Sequence, residues 1–159
     1  MLSSTFTQKI ITAAEDALSA CVALTAFIPM LMGTGGNAGG QVSVTVIRGL
    51  SLDEIDFSDW FRVFWKEFRV SLLCGATLAA ANFIKLLFID RVTMDVALVV
   101  CITLVVVVLF AKVVGCLLPI AAKRIHLDPA VMASPFITTI VDALALLTYF
   151  RVASIMLGI

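Results

Sequence analysis

V-A-L-V-V-C-I-T-L-V-V-V-V-L-F-A-K-V-V-G-C-L-L-P-I-A-A, residues Val96–Ala122, holds a single charge, Lys112, in a run longer than the about 20 residues a bilayer crossing needs. Lipid offers no water to unpaired backbone groups, so such a run has to be a helix. Working outward, three more apolar stretches of comparable length appear, Ala17–Ile47, Val63–Ile89 and Ala130–Ile159. Only three connections lie between them: the acidic, aromatic Arg48–Arg62, the short Asp90–Asp95 and the basic Lys123–Pro129. The expected fold is an all-α integral membrane protein. It is one transmembrane domain over residues 1–159, with four spanning helices at about 17–47, 63–89, 96–122 and 130–159.

Composition agrees with this reading. Hydrophobic residues make up 62% and charged ones 14%, against about 45–50% and about 25% in soluble domains, and the mean hydropathy is +1.13. Eleven basic and eleven acidic residues cancel, so no nucleic-acid footprint is expected and the partner implied is the lipid bilayer. Cys21, Cys74, Cys101 and Cys116 sit in apolar segments at spacings that match no zinc or redox motif, and read as small buried residues. Residues 1–16 are polar and mixed rather than a secretory signal, and read as an extracellular loop or a cut end.

Lys and Arg mark the cytoplasmic side. Arg48, Arg62, Lys66 and Arg69 surround the first connection and Lys123 and Arg124 lie in the third, whereas the second has only Arg91. Four crossings then put both ends outside, so a further helix upstream is expected and the chain reads as truncated before it. Trp60, Phe61, Phe64, Trp65 and Phe68 suit a short amphipathic stretch at headgroup level ahead of the second helix. Asp53, Glu54, Asp56 and Asp59 read as a solvated face or helix caps, His126 as a polar loop residue, and Lys112 as a side chain that snorkels to the headgroups.

Asp142 is the sharpest chemical signal, because a helix-centre Asp costs about 2.5–3.5 kcal/mol to insert and intramembrane carboxylates usually mark an ion path. Thr138 and Thr139, at i−4 and i−3, lie on its helical side. The first helix carries P-M-L-M-G-T-G-G-N-A-G-G-Q over Pro29–Gln41. Its proline should kink the helix and free the carbonyl of Thr25. Gly33, Asn37, Gln41 and Thr45 recur every four residues as a small and polar stripe unsuited to lipid, though a plain glycine packing seam would use the same pattern. Asp128-Pro129 opens the last helix as N-cap and first helical residue, and puts a carboxylate at the cytoplasmic mouth of the helix that carries Asp142.

The runs F-I-P-M-L-M-G-T-G-G-N-A-G-G-Q (Phe27–Gln41), G-C-L-L-P (Gly115–Pro119) and D-P-A-V-M-A-S-P-F-I-T-T-I-V-D (Asp128–Asp142), followed by Tyr149-Phe150, resemble the membrane domain of MgtE magnesium channels. The resemblance covers nearly the whole chain. It implies a homodimer in a bacterial inner membrane, with five spanning helices per subunit after cytosolic N and CBS sensor domains, and the four helices here correspond to the second to fifth. It further implies a pore on the dimer axis and hydrated Mg2+ bound at Asp142, with Asn37, Gln41, Gly33, Thr138 and Thr139 lining the path. A cytoplasmic-side magnesium contact falls on Asp128, and Glu15 matches an acidic residue at the outer end of the second helix. Magnesium sheds water reluctantly and suits few carboxylates, which agrees with one deep Asp per chain.

Three other functions compete. A secondary Mg2+ exchanger coupled to H+ or Na+ would use the same Asp142, but predicts an inverted repeat that the chain lacks. A structural subunit would pair Asp142 with Lys112. An intramembrane aspartyl enzyme needs a second deep carboxylate, and none is evident, so no enzymatic activity is expected.

Overall fold

Pro29 breaks the first apolar stretch instead of kinking it. In the computed structural model, which describes Gln8 and residues 22–158 without the side chains of 57 and 130–134, a one-turn helix α1 (Val22–Thr25) is followed by a two-residue turn and then α2 (Ile28–Ser51). Pro29 stands in the first turn of α2, where a missing N–H breaks no helical bond. The acceptor answered from across the fold is accordingly the carbonyl of Leu24 rather than that of Thr25. It takes the Phe27 backbone N–H at 3.2 Å and the buried Tyr149 hydroxyl at 2.9 Å, so a phenol from the far end of the chain closes the break. The expectations for residues 1–16, Glu15 among them, and for Cys21 lie outside the described residues.

After a 3-10 turn at Phe57–Asp59 come α3 (Trp60–Phe88), α4 (Met94–Arg124) and α5 (Pro129–Leu157). All ordered elements among the described residues are helical. The aromatic stretch is therefore the opening turns of α3 itself, not a separate segment ahead of it. Among the described residues three helices are long and apolar enough to cross a membrane: α3, α4 and the Pro135–Leu157 part of α5. With 24 residues α2 reaches about 36 Å and has the length. Its glycines, Asn37 and Gln41 keep its most apolar stretch less hydropathic than those of the other three.

The centre of the bundle is α4, which packs against α2, α3 and α5, while α2 also packs against α5. Buried positions run along α4 from Val96 to Ala122, whereas α3 buries only Ser71, Gly75 and Leu86 and turns the rest of its surface outward. The α2–α4 crossing is the closest approach. A Cβ on Gly115 would run into the carbonyl oxygen of Gly39, and one on Gly39 would lie 3.0 Å from the Ala111 carbonyl oxygen. One turn away, a Cβ on Gly35 would come within 2.7 Å of Val141 and 2.8 Å of Val107. Gly33 and Gly40 face the other way and have nothing within 4 Å of such an atom.

Three of the helices stop without glycine, whereas Gly158, at φ 72°, follows the end of α5. Asp53, Arg91 and His126 take left-handed φ values of 53, 52 and 58° beyond the ends of α2, α3 and α4. His126 is thus more than a polar loop residue: around it the Leu127 N–H reaches back to the Ala122 carbonyl at 3.0 Å and its own N–H to that of Lys123 at 3.2 Å. At this end Lys123 ties the first and third connections together, donating to the Leu50 carbonyl at 2.8 Å and standing 3.7 Å from the Asp53 carboxylate. Of the two readings of the acids here, the solvated face holds for the exposed Asp53, Glu54 and Asp56, while the Asp59 carboxylate accepts the Asp56 N–H at 3.1 Å and caps no helical N–H of α3. Cys101 and Cys116 are buried and Cys74 half-buried, all as free thiols.

The two glycine classes should separate in thermal unfolding of the purified protein. Gly115→Ala forces a Cβ against backbone that cannot yield, so it should lower stability by about 1–3 kcal/mol. Gly33→Ala should leave it unchanged or raise it by up to about 1 kcal/mol through helix propensity. Equal effects at both positions would contradict the packing described here.

Candidate ion-path groove

The face of α2 opposite its glycine seam opens on a groove of ≈ 840 Å³ shared with α5. From α2 come Met32, Gly33, Gly36, Asn37, Gly40, Gln41, Val44 and Thr45, and from α5 Thr138 and Asp142. This division follows from helical period: Leu31, Gly35, Gly39, Val42 and Val46 are buried on one side, and the groove positions fall between them on the other. On α5 the same logic buries Ile137 and Val141 and leaves Thr138 and Asp142 to the groove. Gly36 brings α2 so near α5 that a Cβ there would sit 3.5 Å from the Thr138 methyl.

Asp142 lies 13 residues after Pro129 and 15 before Leu157, near the midpoint of α5 and about 20 Å from either end. Its carboxylate is half-buried and makes no hydrogen bond or ion pair with another described residue; the same holds for the side-chain amides of Asn37 and Gln41. The groove thus presents carboxylate, amide and hydroxyl oxygens at mid-helix depth, all able to accept from water or face a cation. Among the described residues no three His, Cys, Asp or Glu gather into a metal cage. This donor set suits an ion that keeps its water shell, not one stripped of it.

Six of the residues singled out from the sequence therefore meet in one groove: Gly33, Asn37, Gln41, Thr45, Thr138 and Asp142. Two do not. Thr139 is not among the lining residues, and its hydroxyl donates back to the Pro135 carbonyl at 2.8 Å, a local bond that spacing alone does not reveal. Asp128 stands exposed just before α5, about 21 Å along the helix from Asp142.

Lys112 does not pair with Asp142. Its ammonium lies 3.7 Å from the carboxylate of Glu67 on α3, and both side chains are largely buried, at 12% and 13% exposure. Glu67 is the residue that sequence reading missed. It sits inside the second apolar stretch, four residues past its start, and was hidden by the charged run that leads into that helix. A cation and an anion at similar depth in neighbouring apolar helices were the available signal. Glu67 lines a different cavity from Asp142, of ≈ 280 Å³, together with Glu54, Asp59, Arg62 and Lys66.

The sequence model of the MgtE family, described as a divalent cation transporter, matches residues 28–152, which take in α2 through most of α5. The chain belongs to the MgtE family. It is 38% identical to the magnesium transporter MgtE of Thermus thermophilus, over 99% of this chain and 34% of that protein. It is 36% identical to the Bacillus subtilis magnesium transporter MgtE over 92% of the chain and 32% of the relative, and 29% identical to that of Enterococcus faecalis over 93% and 32%. The chain spans about a third of the length of these relatives. Membership in MgtE, together with three apolar helices of spanning length, makes it a multi-pass membrane protein.

The Glu67–Lys112 pair yields a double-mutant test. Lys112→Met alone leaves a buried carboxylate uncompensated and should cost about 3–5 kcal/mol. Lys112→Met with Glu67→Gln removes both charges and should recover most of that loss, as read by thermal unfolding in detergent. Additive losses in the double variant would show that the two side chains do not interact.

Proposed function

We propose that the chain builds half of a magnesium-conducting pathway, with α2 to α5 all crossing a bacterial inner membrane and two copies facing each other across a two-fold axis. The groove carries the proposal: it gathers Asn37, Gln41, Thr138 and an unpaired Asp142 at membrane depth on the face of α2 that is too polar for lipid. One chain has too few polar groups to escort a dication across about 30 Å of hydrocarbon, and a second copy doubles them. Six waters at ~30 Å³ each make a hydrated ion of about 180 Å³, which the ≈ 840 Å³ groove can hold. Magnesium as the ion is supported by the names of the relatives.

In this reading Asp142 attracts the ion through its water shell, and Asn37, Gln41 and Thr138 replace outer-sphere hydrogen bonds. The basic end, where Lys123 joins the first and third connections, faces the cytoplasm. Asp128 then lies at the cytoplasmic mouth, where a magnesium contact with cytosolic sensor domains is proposed. The absence of an Asp142–Lys112 pair weighs against a purely structural role for the carboxylate.

Magnesium flux into liposomes tests this. Asp142→Asn is nearly isosteric, so it should keep the fold and lower flux by about tenfold or more, equivalent to ~1.4 kcal/mol or more of lost ion stabilisation. Flux in the unsubstituted protein should follow magnesium's own gradient and persist when proton and sodium gradients are abolished. Its arrest under those conditions would favour an exchanger. Equal flux through both proteins would remove Asp142 from the pathway.

A further inference from the structure

Helix α3 is longer than a crossing requires. Its 29 residues reach about 43 Å against about 30 Å of hydrocarbon. Residues 70–88 alone give about 28 Å and carry only Lys85 as a charge, so by length Trp60–Arg69 stands in the headgroup layer at the basic end. On that overhang Arg62, Lys66 and Arg69 recur at i, i+4 and i+7 along one face. With Phe61 and Trp65 they line a cavity of ≈ 380 Å³, within the size range of small-ligand sites.

The three cations are exposed, and none has an ion pair or hydrogen bond through its side chain with another described residue. Nearby acids do not neutralise them. Glu67 is turned inward to Lys112, and Asp59 accepts the Asp56 N–H. Glu54 lines the adjoining cavity, which Arg62 and Lys66 also border, without pairing with either. Trp65 is 50% exposed and stacks on Phe68 at 5.6 Å and 9°, which holds its ring as one wall of the basic cavity.

Uncompensated cations interleaved with aromatic rings at the hydrocarbon boundary match a ligand with a phosphate at one end and acyl chains at the other. We propose that Arg62, Lys66 and Arg69, walled by Trp65, form a binding site for the phosphate headgroup of an anionic phospholipid. The site rests on α3 crossing the bilayer and is independent of the ion pathway.

The chain has two tryptophans, so Trp60→Phe leaves Trp65 as sole reporter. In phosphatidylcholine vesicles carrying equal small fractions of brominated phosphatidylglycerol or brominated phosphatidylcholine, Trp65 should be quenched preferentially by the anionic lipid. The apparent association should be about fivefold or more tighter, the factor expected from one basic residue near the surface. Arg62→Gln with Lys66→Gln and Arg69→Gln should abolish the preference at unchanged helical circular dichroism. Should that variant not fold, Arg69→Gln alone should reduce it, and Arg69→Lys should keep it. Arg151→Gln, at the other end of the bundle, should leave it unaltered. Equal quenching by the two lipids, a preference that survives removal of the cations, or an equal loss in Arg151→Gln would overturn the site. So would abolition of the preference by millimolar inorganic phosphate, which would make the ligand a free ion.

Discussion

The backbone contact between Gly39 and Gly115 governs the arrangement of the bundle. With no room for a Cβ at either position, α2 and α4 meet carbonyl to Cα, and the rotation of α2 about its own axis is set. Gly35, against Val107 and Val141, holds the same rotation one turn further on. Because the seam occupies one side of α2, Asn37 and Gln41 must emerge on the other, opposite Thr138 and Asp142. The stripe of small and polar residues is thus two stripes with different tasks: Gly35 and Gly39 allow contact, while Gly33 and Gly40 leave space.

Charge is distributed by the same logic of low dielectric. Glu67 and Lys112 lie between α3 and α4 and answer each other, so neither marks a path through the protein. Asp142 has no such answer among the described residues and opens on a groove able to admit water and a cation. The contrast between an internally paired carboxylate and an unpaired one, both in apolar helices, is what separates the scaffold from the candidate path. It also gives the MgtE membership a physical content at the level of single side chains.

The carbonyl of Leu24 shows how far apart the parts of one solution can be. A proline near the start of α2 interrupts the helix, and the hydroxyl that joins the Phe27 N–H on this buried acceptor comes from Tyr149, 125 residues later. The aromatic pair Tyr149-Phe150 belongs to the inner faces of the bundle, where both residues are buried. Its tie to the proline is a matter of assembly, since nothing local in either segment requires the other.

The sequence by itself determined the features that depend on one helix and its solvent. The apolar lengths of α3, α4 and α5, the polar stripe of α2, the start of α5 at Pro129 and the depth of Asp142 follow from hydropathy, period and rise per residue. Only the tertiary structure decided which helix faces meet. It placed Thr138 in the groove but Thr139 on a backbone carbonyl, gave Lys112 to Glu67 instead of to Asp142, and turned the expected kink at Pro29 into a break closed by Tyr149. These outcomes rest on the rotation of each helix about its axis and on partners tens of residues away. Composition and periodicity along a single helix carry no information about either, because lipid and a neighbouring helix are equally apolar to a leucine or a valine and discriminate only against groups that must find a hydrogen bond.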